Sequence, residues 1–144
     1  MSLVFMDSVG LLALWSESDQ WHEAAEKAFA EITRNKDVLL TTAFVMLECG
    51  NAVARRGFRK DANDLCERLE KSGTLVWPTE SDWKLGWQNY QRGEADAAGI
   101  VDHVSFVVMR RLGIAKAFTN DRHFRGAGFE TLSKRIRSGP GRNR

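Results

Sequence analysis

The sequence predicts an α/β domain with a mostly parallel central sheet, and three observations carry that prediction. Short apolar runs such as Leu3–Met6, Val38–Leu40 and Leu75–Trp77 recur along the chain, each short enough and bounded well enough to be a buried strand. Between them lie longer segments whose apolar residues return at helical spacing, so strands and helices alternate instead of segregating. The 144 residues, 43% hydrophobic and 28% charged, suit one domain with a real core and argue against wholesale disorder.

The elements follow in order. Leu3 to Met6 reads as strand one, bounded by Asp7. Ser8 is the expected cap of a helix from Val9 to Trp15. Asp19 opens a second helix, in which Trp21, Ala25, Ala28, Phe29 and Ile32 share a face. Asp37 to Thr41 is strand two, and Thr42 caps a helix expected to run to Arg56 and stop at Gly57. A helix over Lys60 to Lys71 turns Leu65 and Leu69 inward and ends at Gly73. Thr74 to Trp77 is strand three, closed by Pro78. Thr79 to Gln91 is helical, with Trp83, Trp87 and Tyr90 at i, i+4 and i+7. That spacing predicts a core face first, a subunit or partner interface second, and base stacking third. Gly93 to Gly99 is a loop, Ile100 to Leu112 a strongly apolar helix ending at Gly113, and Ile114 to Thr119 strand four. Gly128 to Leu132 is a short fifth strand. No internal repeat or domain linker interrupts the series.

Composition narrows the function classes. Cys49 and Cys66 sit in helical patterns without CxxC spacing, so neither a disulfide framework nor a zinc ribbon is expected, and reduced thiols suit the cytoplasm. His22 and His103 lack any ligand pair at finger spacing. No apolar run approaches the ~18 residues of a membrane span, and Met1 to Asp7 lacks the basic region of a signal peptide. The net charge of +2 conceals an asymmetry: every acid lies at or before Glu130, while Lys134, Arg135, Arg137, Arg142 and Arg144 follow it. Without those five of the 21 basic residues, 16 face 19 acids, a body of about −3. The domain is therefore assigned to residues 1–133, with 134–144 a basic tail suited to a polyanion or to plain solvation.

The acids carry the chemistry. In an open parallel sheet ligands bind beyond the carboxyl ends of the strands, where Asp7 and Asp121 both fall. Glu48 lies in Ala43-Phe44-Val45-Met46-Leu47-Glu48-Cys49, apolar on most helical sides. An ionised carboxylate there needs a cation, either an arginine or a metal. Asp102 stands in the first turn of an apolar helix, where the dipole favours an acid but the neighbours Val101, Val104 and Phe106 do not. Acids without matching clustered cations suit a hard divalent ion, which takes oxygen ligands and polarises phosphodiesters. Asp96, just upstream, reads as solvated. Ser8 either caps its helix or orients a water.

The ordered segments resemble the PIN-domain ribonucleases, particularly the VapC-type toxins of bacterial toxin–antitoxin pairs. The matching stretches are Phe5-Met6-Asp7-Ser8-Val9-Gly10-Leu11-Leu12-Ala13-Leu14, Glu48 in its helix, Asp102 through Leu112-Gly113-Ile114, and "AFTNDRHFRGAGFETL" from Ala117 to Leu132. The resemblance implies a PIN-like three-layer α/β/α domain. It implies a four-acid site of Asp7, Glu48, Asp102 and Asp121 binding Mg²⁺ or Mn²⁺, with Asp7 and Asp102 the direct ligands. It also implies a Mg²⁺-dependent endoribonuclease acting on RNA, a homodimer and a cognate antitoxin. Where relatives often carry Ser and Thr, this chain has Gly99 and Val101, which bears on how Asp102 is positioned. Arg122 is expected near phosphate or Glu130, and His123 is expected to pack on or hydrogen-bond the turn. A receiver domain would need a paired acid after strand one, and a haloacid-type phosphatase Asp-x-Asp; Ser8 and Val9 exclude both. The remaining alternative is a catalytically idle PIN-like scaffold that only binds RNA or protein.

Overall fold

The computed structural model describes residues 1–133, so expectations for the tail lie outside the described residues. In chain order the elements are β1 (Leu3–Met6), α1 (Ser8–Trp15), α2 (His22–Arg34), β2 (Val38–Thr42), α3 (Ala43–Val53) and α4 (Arg59–Ser72). They continue with β3 (Leu75–Val76), α5 (Glu80–Arg92), α6 (Ile100–Leu112), β4 (Lys116–Phe118), α7 (Arg122–Gly126) and β5 (Glu130–Thr131). All strand pairings are parallel, in the order β3-β2-β1-β4-β5. The chain steps outward from β1 through β2 to β3, then returns to the other side of β1 for β4 and β5. Right-handed crossovers in the two directions put helices on opposite faces, giving the three-layer α/β/α arrangement. The reversal also leaves a crevice at the carboxyl ends of β1 and β4, whose register pairs Met6 with Phe118.

Packing around that crevice is tight. Val4, Phe5, Met6, Ala117 and Phe118 are buried, as continuous runs in a sheet covered on both faces should be. Gly10 lies so close to β4 that a Cβ there would stand 2.2 Å from the Phe118 carbonyl oxygen. Only glycine lets α1 approach the strand this closely. Helix ends follow local rules: Gly73, Gly93 and Gly113 close α4, α5 and α6 in the left-handed conformation.

Several sequence expectations are corrected. The α1 cap is Asp7, whose side chain accepts from the Val9 N–H, and not Ser8, which is the first helical residue. The second helix starts at His22, because Asp19 accepts the Trp21 N–H at 2.8 Å in a turn ahead of it. The third ends at Val53, three residues before Arg56. A short helix, α7, occupies the stretch after Asp121 that carried no helical period. The core-face reading of Trp83, Trp87 and Tyr90 is overturned: they are 46%, 41% and 45% exposed. Asp82, Gly86 and Asn89 share the same spacing one position earlier, and they are the buried set. Contact with α6 selects them, since a Cβ on Gly86 would lie 2.7 Å from Val104 Cγ2. Asp82 completes a capping box with Thr79 and takes a two-pronged bond from Arg111 of α6, at 2.9 and 2.7 Å. The displaced rings form an edge-to-face row, Phe44–Trp83–Trp87–Tyr90, ending on His103.

Candidate active site

Four elements bring the predicted acids together. Asp7 follows β1 directly and caps α1, which fixes its carboxylate where the strand stops. It is 1% exposed, and the Thr119 hydroxyl donates to its Oδ2 at 2.9 Å. The same Thr119 oxygen accepts the Asp121 N–H at 3.0 Å, so one buried hydroxyl ties the ends of β1 and β4. Glu48 projects from the second turn of α3, and Ser8 donates to its Oε1 at 2.5 Å. Asp102 is the third residue of α6; the Gly99 N–H bonds back to its carboxylate. That is half a capping box, in which Gly99 has no side chain to return the bond.

Electrostatics show that these groups share one space. Burial, and then the neighbouring Asp102, raise Asp7 to about 8, with Asp121 and Glu48 adding to the rise and the Thr119 bond opposing it. Burial, then Asp121 and Glu48, raise Asp102 to about 6, while the Gly99 N–H opposes it. Buried Cys49, one residue on from Glu48, is pushed up to about 12 by burial and by Asp7 and Glu48. Among the described residues no arginine or lysine forms an ion pair with Asp7, Asp102 or Glu48, the acid for which an arginine was the alternative to a metal. Asp7 Oδ1 is buried and has no hydrogen-bond partner among the described residues. A fully buried carboxylate oxygen is costly to leave so, and the cluster fits a divalent cation that would complete it.

His123 hydrogen-bonds the turn, as the sequence reading expected, and in doing so lies beside the acids. Its backbone N–H and ring Nδ1 both face Asp121 Oδ1, at 2.9 and 2.7 Å. Asp102, Asp121 and His123 each offer a ligand atom within 4.8 Å of the others. Thr119 was missed; its only signal was a hydroxyl closing an apolar run. Ser8 serves Glu48 and does not cap the helix. Asp96 is exposed, in a left-handed conformation (φ 56°) within the loop, consistent with a solvated acid. Arg122 is exposed on α7, and no ion pair of it with Glu130 is found among the described residues.

Comparison with known proteins places this geometry. The PIN domain profile matches residues 4–130. The 23S rRNA-specific endonuclease VapC20 of Mycobacterium tuberculosis is 28% identical over 128 residues, spanning 88% of this chain and 95% of the relative. The crystal structure of VapC20, described as a sarcin–ricin loop cleaving toxin, superposes with a TM-score of 0.73 at 26% identity, covering 88% of this chain and 95% of that one. FitAcB from Neisseria gonorrhoeae shares the fold at a TM-score of 0.60 and 17% identity, over 92% and 96% of the two chains.

Proposed function

This chain belongs to the PIN domain family, and on that premise we propose that it is a metal-dependent endoribonuclease acting as the toxin of a toxin–antitoxin pair. The observation that carries the reading is buried Asp7 with the partly buried Glu48, Asp102 and Asp121 around it at the crevice between β1 and β4, with no arginine or lysine paired to them among the described residues. A scaffold gains nothing from holding Asp7 buried beside other acids, whereas a phosphodiesterase needs them for its ion. VapC20, by its name, cuts 23S rRNA, and ribosomal RNA is the first substrate to test here.

Asp7 and Asp102 would hold Mg²⁺ or Mn²⁺ directly, with Glu48 and Asp121 completing the set. When bound, such an ion supplies positive charge to polarise the phosphodiester and to stabilise the leaving oxygen. The protein's own part is positioning. Thr119 orients the Asp7 carboxylate, Ser8 holds Glu48, and the Gly99 N–H holds Asp102. Without the ion, the raised pKa of Asp7 keeps a proton on its carboxyl near neutrality. That proton must leave as the cation enters, so affinity should rise with pH.

Partners follow from the surfaces. Exposed Leu47, Trp83, Trp87 and Tyr90 on α3 and α5 support a homodimer through that face, since aromatic anchors favour interfaces. A sedimentation measurement on Trp87→Glu decides that point: an unchanged oligomeric state rules the face out. A groove lined by Leu14, Trp15, Phe29, Leu39, Leu65 and Leu69 supports docking of an antitoxin segment. No helix among the described residues is long and apolar enough to cross a membrane. Free Cys49 and Cys66 suit a reducing cytoplasm. The activity test is cleavage of purified rRNA by the full chain with Mg²⁺, Mn²⁺ or EDTA. Asp102→Asn should lose at least a hundredfold in rate while keeping its circular dichroism spectrum. Wild-type rate in that variant, or cleavage undiminished in EDTA, would sink the proposal.

A further inference from the structure

We propose that His123 contributes an imidazole nitrogen to the cation site, turning an all-carboxylate cluster into a mixed oxygen–nitrogen one that prefers Mn²⁺ to Mg²⁺. The inference deepens the metal-dependent reading above and rests on it. Three observations lead to it. Asp102, Asp121 and His123 present ligand atoms within 4.8 Å of one another, so that a closure of about half an ångström brings all three within reach of one ion. The ring is held rigidly: Asp121 accepts from both the His123 backbone N–H and Nδ1, and the two residues lie on one short turn. The other ring nitrogen, Nε2, is buried and has no hydrogen-bond partner among the described residues. Asp7 Oδ1, on a residue 1% exposed, is likewise without one, so the cluster lacks a partner on more than one side.

A histidine bonded through one nitrogen to a carboxylate, with its second nitrogen unpaired, is the arrangement common to metal-ligating imidazoles. In neutral imidazole the nitrogen without a proton is a bare lone pair. Packing alone does not account for leaving it both buried and unmatched. The consequence is selectivity. Mg²⁺ demands oxygen ligands in a near-ideal octahedron and dehydrates reluctantly. Mn²⁺ shares the oxygen preference but stands on the transition-metal series, where imidazole is an acceptable ligand. One nitrogen in the set therefore penalises Mg²⁺ more than Mn²⁺.

The experiment uses the purified full chain loaded with Mn²⁺ alone and no RNA. Pulsed electron paramagnetic resonance reads ¹⁴N coupling at the bound ion, and titration calorimetry gives the Mn²⁺ and Mg²⁺ affinities of wild type and His123→Gln. The expected result is a nitrogen coupling in wild type that vanishes in the variant. Mn²⁺ affinity should drop about tenfold in the variant while Mg²⁺ affinity drops less. Bound Mn²⁺ without nitrogen coupling in wild type overturns the inference and leaves the metal-dependent reading intact; this readout needs no variant to fold. Equal losses for both ions in His123→Gln also overturn it, since the ring would then only orient Asp121. If wild type binds no Mn²⁺ at all, the metal-dependent reading fails first and this inference with it.

Discussion

Removing the negative charge of Asp7 should stabilise the metal-free protein, by an amount that grows as pH rises from 3.8 towards 8. In the folded chain Asp7 is raised from 3.8 to about 8 by burial and by the acids around it. A carboxyl raised this way binds its proton more tightly folded than unfolded. Its stabilising effect is full below 3.8 and is lost as pH climbs through 3.8 towards 8. About four pKa units at 1.36 kcal/mol each set a ceiling of about 6 kcal/mol. Water entry and side-chain relaxation should bring the measured loss down to about 3 kcal/mol, a sizeable share of the 5–15 kcal/mol that holds a typical domain. Asp7→Asn keeps an oxygen to accept from Thr119 and Val9 but cannot ionise. With EDTA present, the variant should come within about 1 kcal/mol of wild type near pH 4.5. Near pH 8.5 it should melt roughly 10 °C higher. Comparing the two chains also cancels His103, which burial pushes down; its stability is present above 6.5 and fades as pH falls, opposite in sign to Asp7. Saturating Mn²⁺ should raise the wild-type melting temperature, by about 2.7 kcal/mol of stability at a hundred times the dissociation constant, and leave Asp7→Asn nearly unmoved. Denaturant unfolding at the two pH values settles it. If wild type and variant lose or gain stability in parallel between them, the acids do not share one buried space and the reasoning fails.

Other perturbations test the frame around the site. Gly10→Ala should cost about 3 kcal/mol by driving a methyl into the Phe118 carbonyl, whereas Gly50→Ala, where a Cβ meets nothing within 4 Å, should be neutral or stabilising by up to about 1 kcal/mol; equal urea midpoints for the two would refute the close approach of α1 to β4. Asp82→Ala should cost about 2–3 kcal/mol, losing the Thr79 cap and the Arg111 bond together. Because Arg111 is partly exposed, Arg111→Met should cost clearly less, and the reverse order would show that the bridge, not the cap, holds α5. Deleting residues 134–144 should flatten the salt dependence of RNA binding by about 0.7 in log–log slope per lost phosphate contact; filter binding across a salt series that finds the same slope would make the tail a solvated end.

The resemblance to the PIN-domain ribonucleases supplied the four-acid set, while the sequence by itself determined the alternation of strands and helices, the parallel sheet, and the place of Asp7 and Asp121 at strand ends. Those features are local: apolar period, capping residues and the glycines at helix ends act within a few residues of the chain. An acid with no cation near it in sequence, such as Glu48 or Asp102, already announced a missing partner. The tertiary structure alone decided the rest. Trp83-Trp87-Tyr90 and Asp82-Gly86-Asn89 carry the same period on α5, and nothing within that helix ranks them. Hydropathy favours the rings, but the short distance between α5 and α6 admits only Gly86 against Val104, so the smaller stripe goes inside. Thr119 links Asp7 to Asp121 only because β1 and β4, 112 residues apart at that bond, lie side by side. His123 enters the acid cluster because a five-residue turn, too short to show any helical period, rotates it back towards Asp121. Periodicity reports which way a side chain faces on its own element, whereas contacts across elements depend on how closely the backbones can approach, and that distance is set only when the whole core packs.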